Sequence, residues 1–149
     1  MTASHPAPPH LPPLLVVDAA NTVGSVPDGW WRDRHGATER LRDALAALAA
    51  TGLPERADVP GWARHGPLDV LLVVEGAARG VGPVPGVRVE AAEGSGDDLM
   101  VRLLEDAARD DPGRPLLLVT ADRELRERVR ESGAHCVGPR AVRDGMPRA

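Results

Sequence analysis

Leu14-Leu15-Val16-Val17-Asp18, with Asn21 three positions further on, sets four consecutive apolar residues against an abrupt carboxylate. Four apolar residues without alternation suit a strand buried on both faces, as in a parallel sheet covered by helices above and below. The same device recurs: Val70-Leu71-Leu72-Val73-Val74 ends at Glu75, and Leu116-Leu117-Leu118-Val119 ends in Thr120-Ala121-Asp122. Weaker strands are expected at Val87–Ala91 and His135–Val137.

Helical signals fill the intervals. Leu41, Leu45 and Leu48 recur on one face of a helix expected over Ala37–Ala50, which Thr51-Gly52-Leu53-Pro54 closes. Ser95 opens a second helix, with Asp98 three residues on as an acidic capping box and Met100, Leu103, Leu104 and Ala107 at helical spacing. Asp122 starts a third, with Leu125 and Val129 inward and Ser132-Gly133 as its stop. The segment from Glu55 to Pro67 has no clear period and reads as a loop or a single turn, and a glycine- and proline-rich connector runs from Gly76 to Gly86. This alternation predicts a three-layer α/β/α domain over 14–142, with a mostly parallel five-stranded sheet and the first strand central. Residues 1–13, crowded with proline, histidine and small residues, read as a disordered arm, and 143–149 as a tail.

Composition narrows the chemistry. With 149 residues, 42% of them hydrophobic, the chain can bury one core but not two comfortable ones. No apolar run is long enough for a membrane span, and no secretory signal is visible, so a cytoplasmic location is expected. Cys136 has no partner for an internal disulfide, which suits a reducing compartment, and reads as a packing residue. The chain contains no lysine, which excludes P-loop and Schiff-base chemistry. It also lacks phenylalanine and tyrosine, leaving stacking on nucleobases to tryptophan, histidine or an arginine plane. A net charge of −4 argues against a basic groove that coats nucleic acid.

Sites in open α/β sheets form beyond the carboxyl ends of the strands. Asp18, Glu75 and Asp122 stand at such ends, and Asp97 starts a helix on the same edge. Two bare carboxylates ~4 Å apart repel by ~4 kcal/mol at an effective dielectric of ~20, so a cluster needs a cation or protons between its members. Oxygen donors without nearby cysteine or histidine pairs point to Mg²⁺ or Mn²⁺. Each acid also has a structural reading: Asp122 and Ser95 are good helix caps, Asp97 and Asp98 favour a helix dipole, and Asp18 suits an Asx-turn.

The order Asp18-Ala-Ala-Asn21, Val-Val-Glu75-Gly76, Gly-Ser-Gly-Asp97-Asp98 and Thr120-Ala-Asp122-Arg123-Glu124-Leu125 resembles the NYN domains of the PIN-like nuclease superfamily, in particular the YacP-like branch, from about Leu14 to Val142. The resemblance implies a five-stranded parallel sheet, a Mg²⁺ or Mn²⁺ site and hydrolysis of RNA, single-stranded or structured. By position it implies Asp18, Asp97 and Asp122 as catalytic metal ligands, with Asn21 orienting the first of them or a phosphate, and Thr120 supporting. Asp98 or Glu75 would serve as a base behind the ligands. Glu75 replaces the family's usual aspartate, and Pro139 stands where a serine is common.

Trp30, Trp31, Arg32 and Arg34, in the loop after the first strand, either stack on a base and grip a phosphate or form a lid on the first helix. Arg79 and Arg123 add positive charge near the site. Two other classes compete: a metal-dependent hydrolase of free nucleotides such as an NTP pyrophosphohydrolase, and an inactive RNA-binding domain. Glu124 and Glu127 give only one copy of the paired helical acids the former needs. A homodimer is among the assemblies the sequence allows.

Overall fold

Each apolar run becomes a strand, and all five strands run parallel. The computed structural model describes residues 11–26 and 29–143; most of the expected N-terminal arm, and the tail after Arg143, lie outside the described residues. The strands are β1 (Leu14–Asp18), β2 (Asp69–Val74), β3 (Val87–Ala91), β4 (Leu116–Val119) and β5 (His135–Val137). Their order is β3-β2-β1-β4-β5, so β1 is central as expected. Its residues pair in register with β2 from Leu14 opposite Asp69 to Asp18 opposite Val73, and with β4 from Leu14 opposite Leu116 to Val17 opposite Val119.

Alternation along the buried strands divides the core into two layers. Leu15 and Val17 share one with Val70, Leu72, Val74, Leu117 and Val119. There they meet Ala19 of α1 (Ala19–Val23), Leu41, Leu45 and Leu48 of α2 (Arg34–Thr51), and Ala141 and Val142 of α5 (Arg140–Arg143). Leu14, Val16, Leu71, Val73, Leu116 and Leu118 face the other way. They pack on Leu99, Met100 and Leu104 of α3 (Gly96–Asp110) and Leu125 of α4 (Arg123–Arg128). The result is the expected three-layer α/β/α sandwich.

Local signals explain where the helices differ from expectation. The α2 helix begins one turn before Ala37 because the Asp33 side chain accepts from the Gly36 amide at 2.9 Å and caps it. It ends at Gly52, whose φ of 91° suits glycine and whose missing Cβ leaves room for the Arg64 backbone. The segment after α2 carries a single 3₁₀ turn (Gly61–Ala63) and plugs the core with Val59 and Ala63. Arg64 ties it down by donating to the carbonyls of Val59 and Arg56 at 3.1 and 2.9 Å. Between Asp18 and α2, where no element was expected, lie α1 and a 3₁₀ turn over Trp30–Arg32.

A clamp closes the edge where the strands begin. Asp69 accepts two bonds from Arg88 of β3, at 3.0 and 2.8 Å, and one from Arg114 before β4, at 2.9 Å. Arg114, almost fully buried, also donates to the carbonyl of Pro12 at 2.8 Å. Burial pushes the Asp69 carboxyl up, but the two guanidinium groups outweigh it and hold the group below the ordinary aspartate value. This stability is therefore present above the normal carboxylate range and lost as pH falls through the lowered value. Asp69→Asn should cost about 2 kcal/mol at neutral pH, by loss of charge-assisted bonds that leaves the Arg114 guanidinium poorly compensated. Denaturant titrations should show the gap to the parent closing in acid; a gap that stays constant with pH would remove the electrostatic account.

Candidate functional site

At the opposite edge, the ends of β1 and β4 are joined through side chains. Asp18 is the last residue of β1 and is 6% exposed. One carboxylate oxygen accepts from the Asn21 amide at 3.2 Å, and the other accepts from the Thr120 hydroxyl at 2.9 Å. Thr120, wholly buried just after β4, also accepts from the Asp122 amide at 3.2 Å, while its carbonyl takes the Arg126 guanidinium at 2.8 Å. The Asn21 side-chain oxygen accepts from the Ala121 amide at 2.8 Å. Asp18-x-x-Asn21 and Thr120-Ala121-Asp122 are thus one hydrogen-bonded latch across adjacent strand ends. Asp18 also caps α1, so it has a structural task beyond an isolated Asx-turn.

Glu75, at the end of β2, has a task of its own. Its Oε2 accepts from the Gly96 amide at 2.7 Å, satisfying the first N–H of α3. A Cβ on Gly96 would stand 2.9 Å from that oxygen, so the approach depends on glycine. The longer glutamate side chain bridges from β2 to α3 and positions Asp97, the next residue. The capping box at Ser95 is only half formed. Ser95 Oγ accepts from the Asp98 amide at 3.4 Å, whereas the Asp98 carboxylate turns outward and accepts from Arg128 of α4 at 2.7 Å. Asp122 caps α4, its Oδ1 accepting from the Leu125 amide at 3.0 Å.

The electrostatics set this edge apart. Burial, and secondarily the charges of Asp97 and Glu75, push the Asp18 carboxyl up to about 6 against the lowering effect of its two hydrogen bonds. Asp97 is raised by burial, then by Asp122 and Glu75; Arg128 offsets only part of this. Asp18 and Glu75 therefore lie within Coulomb range of Asp97, and so does Asp122. Among the described residues, however, no three histidine, cysteine or acidic side chains close on a single point tightly enough to hold a metal as placed. Asp18, Glu75 and Asp122 are engaged in caps or latches, whereas Asp97 makes no hydrogen bond or ion pair among the described residues. The donors are all hard oxygens carrying excess negative charge, which chemically suits Mg²⁺ or Mn²⁺.

A cleft of about 410 Å³ adjoins this edge, with Trp30, Arg34, Glu75 and Gly76 among its walls. Trp30 is half-buried and packs edge-to-face on Trp31, with centroids 6.1 Å apart and planes at 87°. The Arg34 guanidinium lies 5.0 Å from the Trp30 ring centre, and that of Arg32 lies 5.9 Å from Trp31. Trp31 is 54% exposed. Trp30 thus forms a wall of the cleft and Trp31 an open face. Arg79 and Arg123 are exposed. Pro139 is buried, and its carbonyl accepts from the Val142 and Arg143 amides of α5. Cys136 is half-buried against the second core layer, and burial pushes its thiol up, away from nucleophilic use.

Three residues of this edge escaped sequence reasoning. Arg126 lies four residues after Asp122 on one helical face, a spacing that could have suggested its inward reach to Thr120. Arg128 and Gly96 act across α3–α4 and β2–α3 contacts, which no local pattern reveals.

The architecture, a three-layer α/β/α fold on a parallel five-stranded sheet, is shared with a solved structure. A solved structure that carries it is Rae1 (YacP) from Bacillus subtilis, similar with a TM-score of 0.63 and 17% sequence identity over 89% of this chain and 74% of that one. No protein-family model matches the sequence, and no curated protein matches it either.

The raised Asp18 carboxyl has a definite sign. Stability is lost as pH rises from 3.8 through about 6, because the folded state disfavours the charge. A shift of that size corresponds to about 3 kcal/mol. Asparagine removes the charge, keeps one acceptor oxygen for the Asn21 amide and can meet Thr120 Oγ1 only by donating to it, so in chelator Asp18→Asn should lose less stability than the parent as pH rises through about 6. Equal pH dependence in the two proteins, measured by denaturant titration, would refute the charge conflict.

Proposed function

We propose that this chain is a divalent-metal-dependent ribonuclease that hydrolyses phosphodiester bonds of single-stranded RNA. The observation that carries the reading is the acidic edge, with Asp97 unpaired near Asp18, Glu75 and Asp122, at the strand ends of a fold shared with Rae1 (YacP). Asp18, Asp97 and Asp122 would hold Mg²⁺ or Mn²⁺. Bound there, the ion supplies Lewis-acid chemistry, offsetting the charge that builds on phosphate oxygens and acidifying water.

The chain's own residues do the rest. Thr120 and Asn21 fix the Asp18 carboxylate before substrate arrives, so its orientation costs nothing at the moment of reaction. Glu75 holds the start of α3, and with it Asp97, against β2. Asp98 keeps the Arg128 guanidinium beside the acids, where it can meet a phosphate oxygen. Trp31 and Arg32 present an exposed stacking face with a cation beside it, suited to unpaired bases.

Capping and metal binding at Asp122 separate cleanly. Asparagine caps about as well as aspartate, so Asp122→Asn should keep its stability in chelator and gain slightly from the loss of one repelling charge. Mn²⁺ at ~100 times its dissociation constant stabilises by ~2.7 kcal/mol, a melting shift of roughly 5–10 °C for a chain of this size. The parent should show that shift and cleave single-stranded RNA; Asp122→Asn should show neither. If the variant keeps both, Asp122 is a cap alone. Products from free nucleotides but not from RNA would replace the substrate assignment.

A further inference from the structure

We propose, on the ribonuclease reading above, that the cleft beside the acidic edge is a base-specific subsite for an unstacked guanine. Its volume, about 410 Å³, falls within the ~300–1,000 Å³ typical of small-ligand sites. Ala20, Val23 and Ala78 supply apolar lining, and Trp30 with the Arg34 guanidinium at 5.0 Å supplies flat surfaces. Flat apolar walls with a stacked cation favour a planar π-system over a sugar or an aliphatic chain.

Of the polar side chains lining the cleft, Arg34, Thr38 and Glu75, the glutamate selects among bases. Glu75 lines the cleft, and the Gly96 amide fixes its carboxylate. Carboxylate oxygens accept hydrogen bonds, so the part of the occupant that meets Glu75 must bring donors, while the Arg34 guanidinium lines the same cleft. Guanine presents two adjacent donors, N1–H and the N2 amine, which a carboxylate accepts as a fork. Adenine and cytosine pair one amine with a ring acceptor that faces the carboxylate unfavourably, and uracil offers a single N–H between two carbonyls. Asp97 follows Gly96 directly, so a nucleotide anchored on Glu75 lies next to the acids. The extra reach of glutamate over aspartate thus serves recognition as well as the α3 cap.

Two measurements test this. Tryptophan fluorescence titrations with GMP, AMP, CMP and UMP should show quenching by GMP with a dissociation constant at least about tenfold below that for UMP, a difference of about 1.4 kcal/mol. The quenching should vanish in Trp30→Leu and persist in Trp31→Leu. Ala20→Leu, a change at an exposed lining position, should weaken GMP binding with no loss of melting temperature. Glu75→Gln, checked for folding by its melting curve, should flatten the preference for GMP over AMP. Separately, mapping Mn²⁺-dependent cuts in a randomised single-stranded RNA should find guanine enriched at one fixed offset from the cut. Equal binding of the four nucleotides, no binding, or cuts without that enrichment overturn the subsite and leave the nuclease reading standing. Selective GMP binding without RNA cleavage keeps the guanine site and overturns the nuclease reading instead.

Discussion

A carboxylate buried at the end of the central strand is the constraint from which the acidic edge follows. Asp18 cannot be hydrated, so its oxygens must be met by the protein, and the neighbouring strand end and first helix meet them. Thr120 is suited to this because its hydroxyl donates to Asp18 and accepts from the Asp122 amide at once. Serine could make the same bonds but would leave a methyl-sized gap in a fully buried position. The latch orients two of the proposed metal ligands, Asp18 and Asp122, through one hydroxyl and the Asn21 amide side chain. The price is a carboxylate whose charge remains disfavoured, because two hydrogen bonds do not offset burial and two acidic neighbours.

Glu75 and Gly96 solve a related problem on the other side of β1. The α3 helix must start close to the strand ends for Asp97 to join the acids, and its first amide needs an acceptor. A glutamate on β2 reaches that amide, and a glycine admits it. The two residues function as a pair, so replacing either changes where Asp97 sits. The length of the glutamate side chain at position 75 therefore has a geometric cause.

Much of this was legible in the sequence. Apolar runs without alternation gave the parallel sheet and its central strand, because burial on both faces leaves no other composition. The acids fell on one edge because strand ends and helix starts share that edge in every β–α unit. What could not be read were the elements between Asp18 and α2: α1 is five residues long and is held by a single cap rather than by an apolar stripe. The Trp30–Arg32 turn likewise has no period to betray it. Arg128 and Gly96 were hidden for a different reason, since their partners lie about 30 and 21 residues away and meet them only after the layers pack. The two faces of the tryptophan pair could be told apart only by their exposure.

The two edges of the sheet invert one another's charge logic, and the inversion separates stability from function. The chain has no lysine, so its permanently charged basic side chains are all arginines, each able to meet a carboxylate as a bidentate partner. At the starting edge this is done: Asp69 holds two guanidinium groups, its carboxyl is lowered, and the charge reinforces the fold. At the finishing edge it is withheld. Arg126 turns inward to a carbonyl, Arg128 is taken up by Asp98, and Asp97 is left facing other carboxylates. A sheet selected for stability alone would extend to that edge the pairing it uses at the other. Leaving the Asp18 and Asp97 charges disfavoured costs free energy that a bound cation or protons can return, which is why the metal site is proposed at this edge and not at the other.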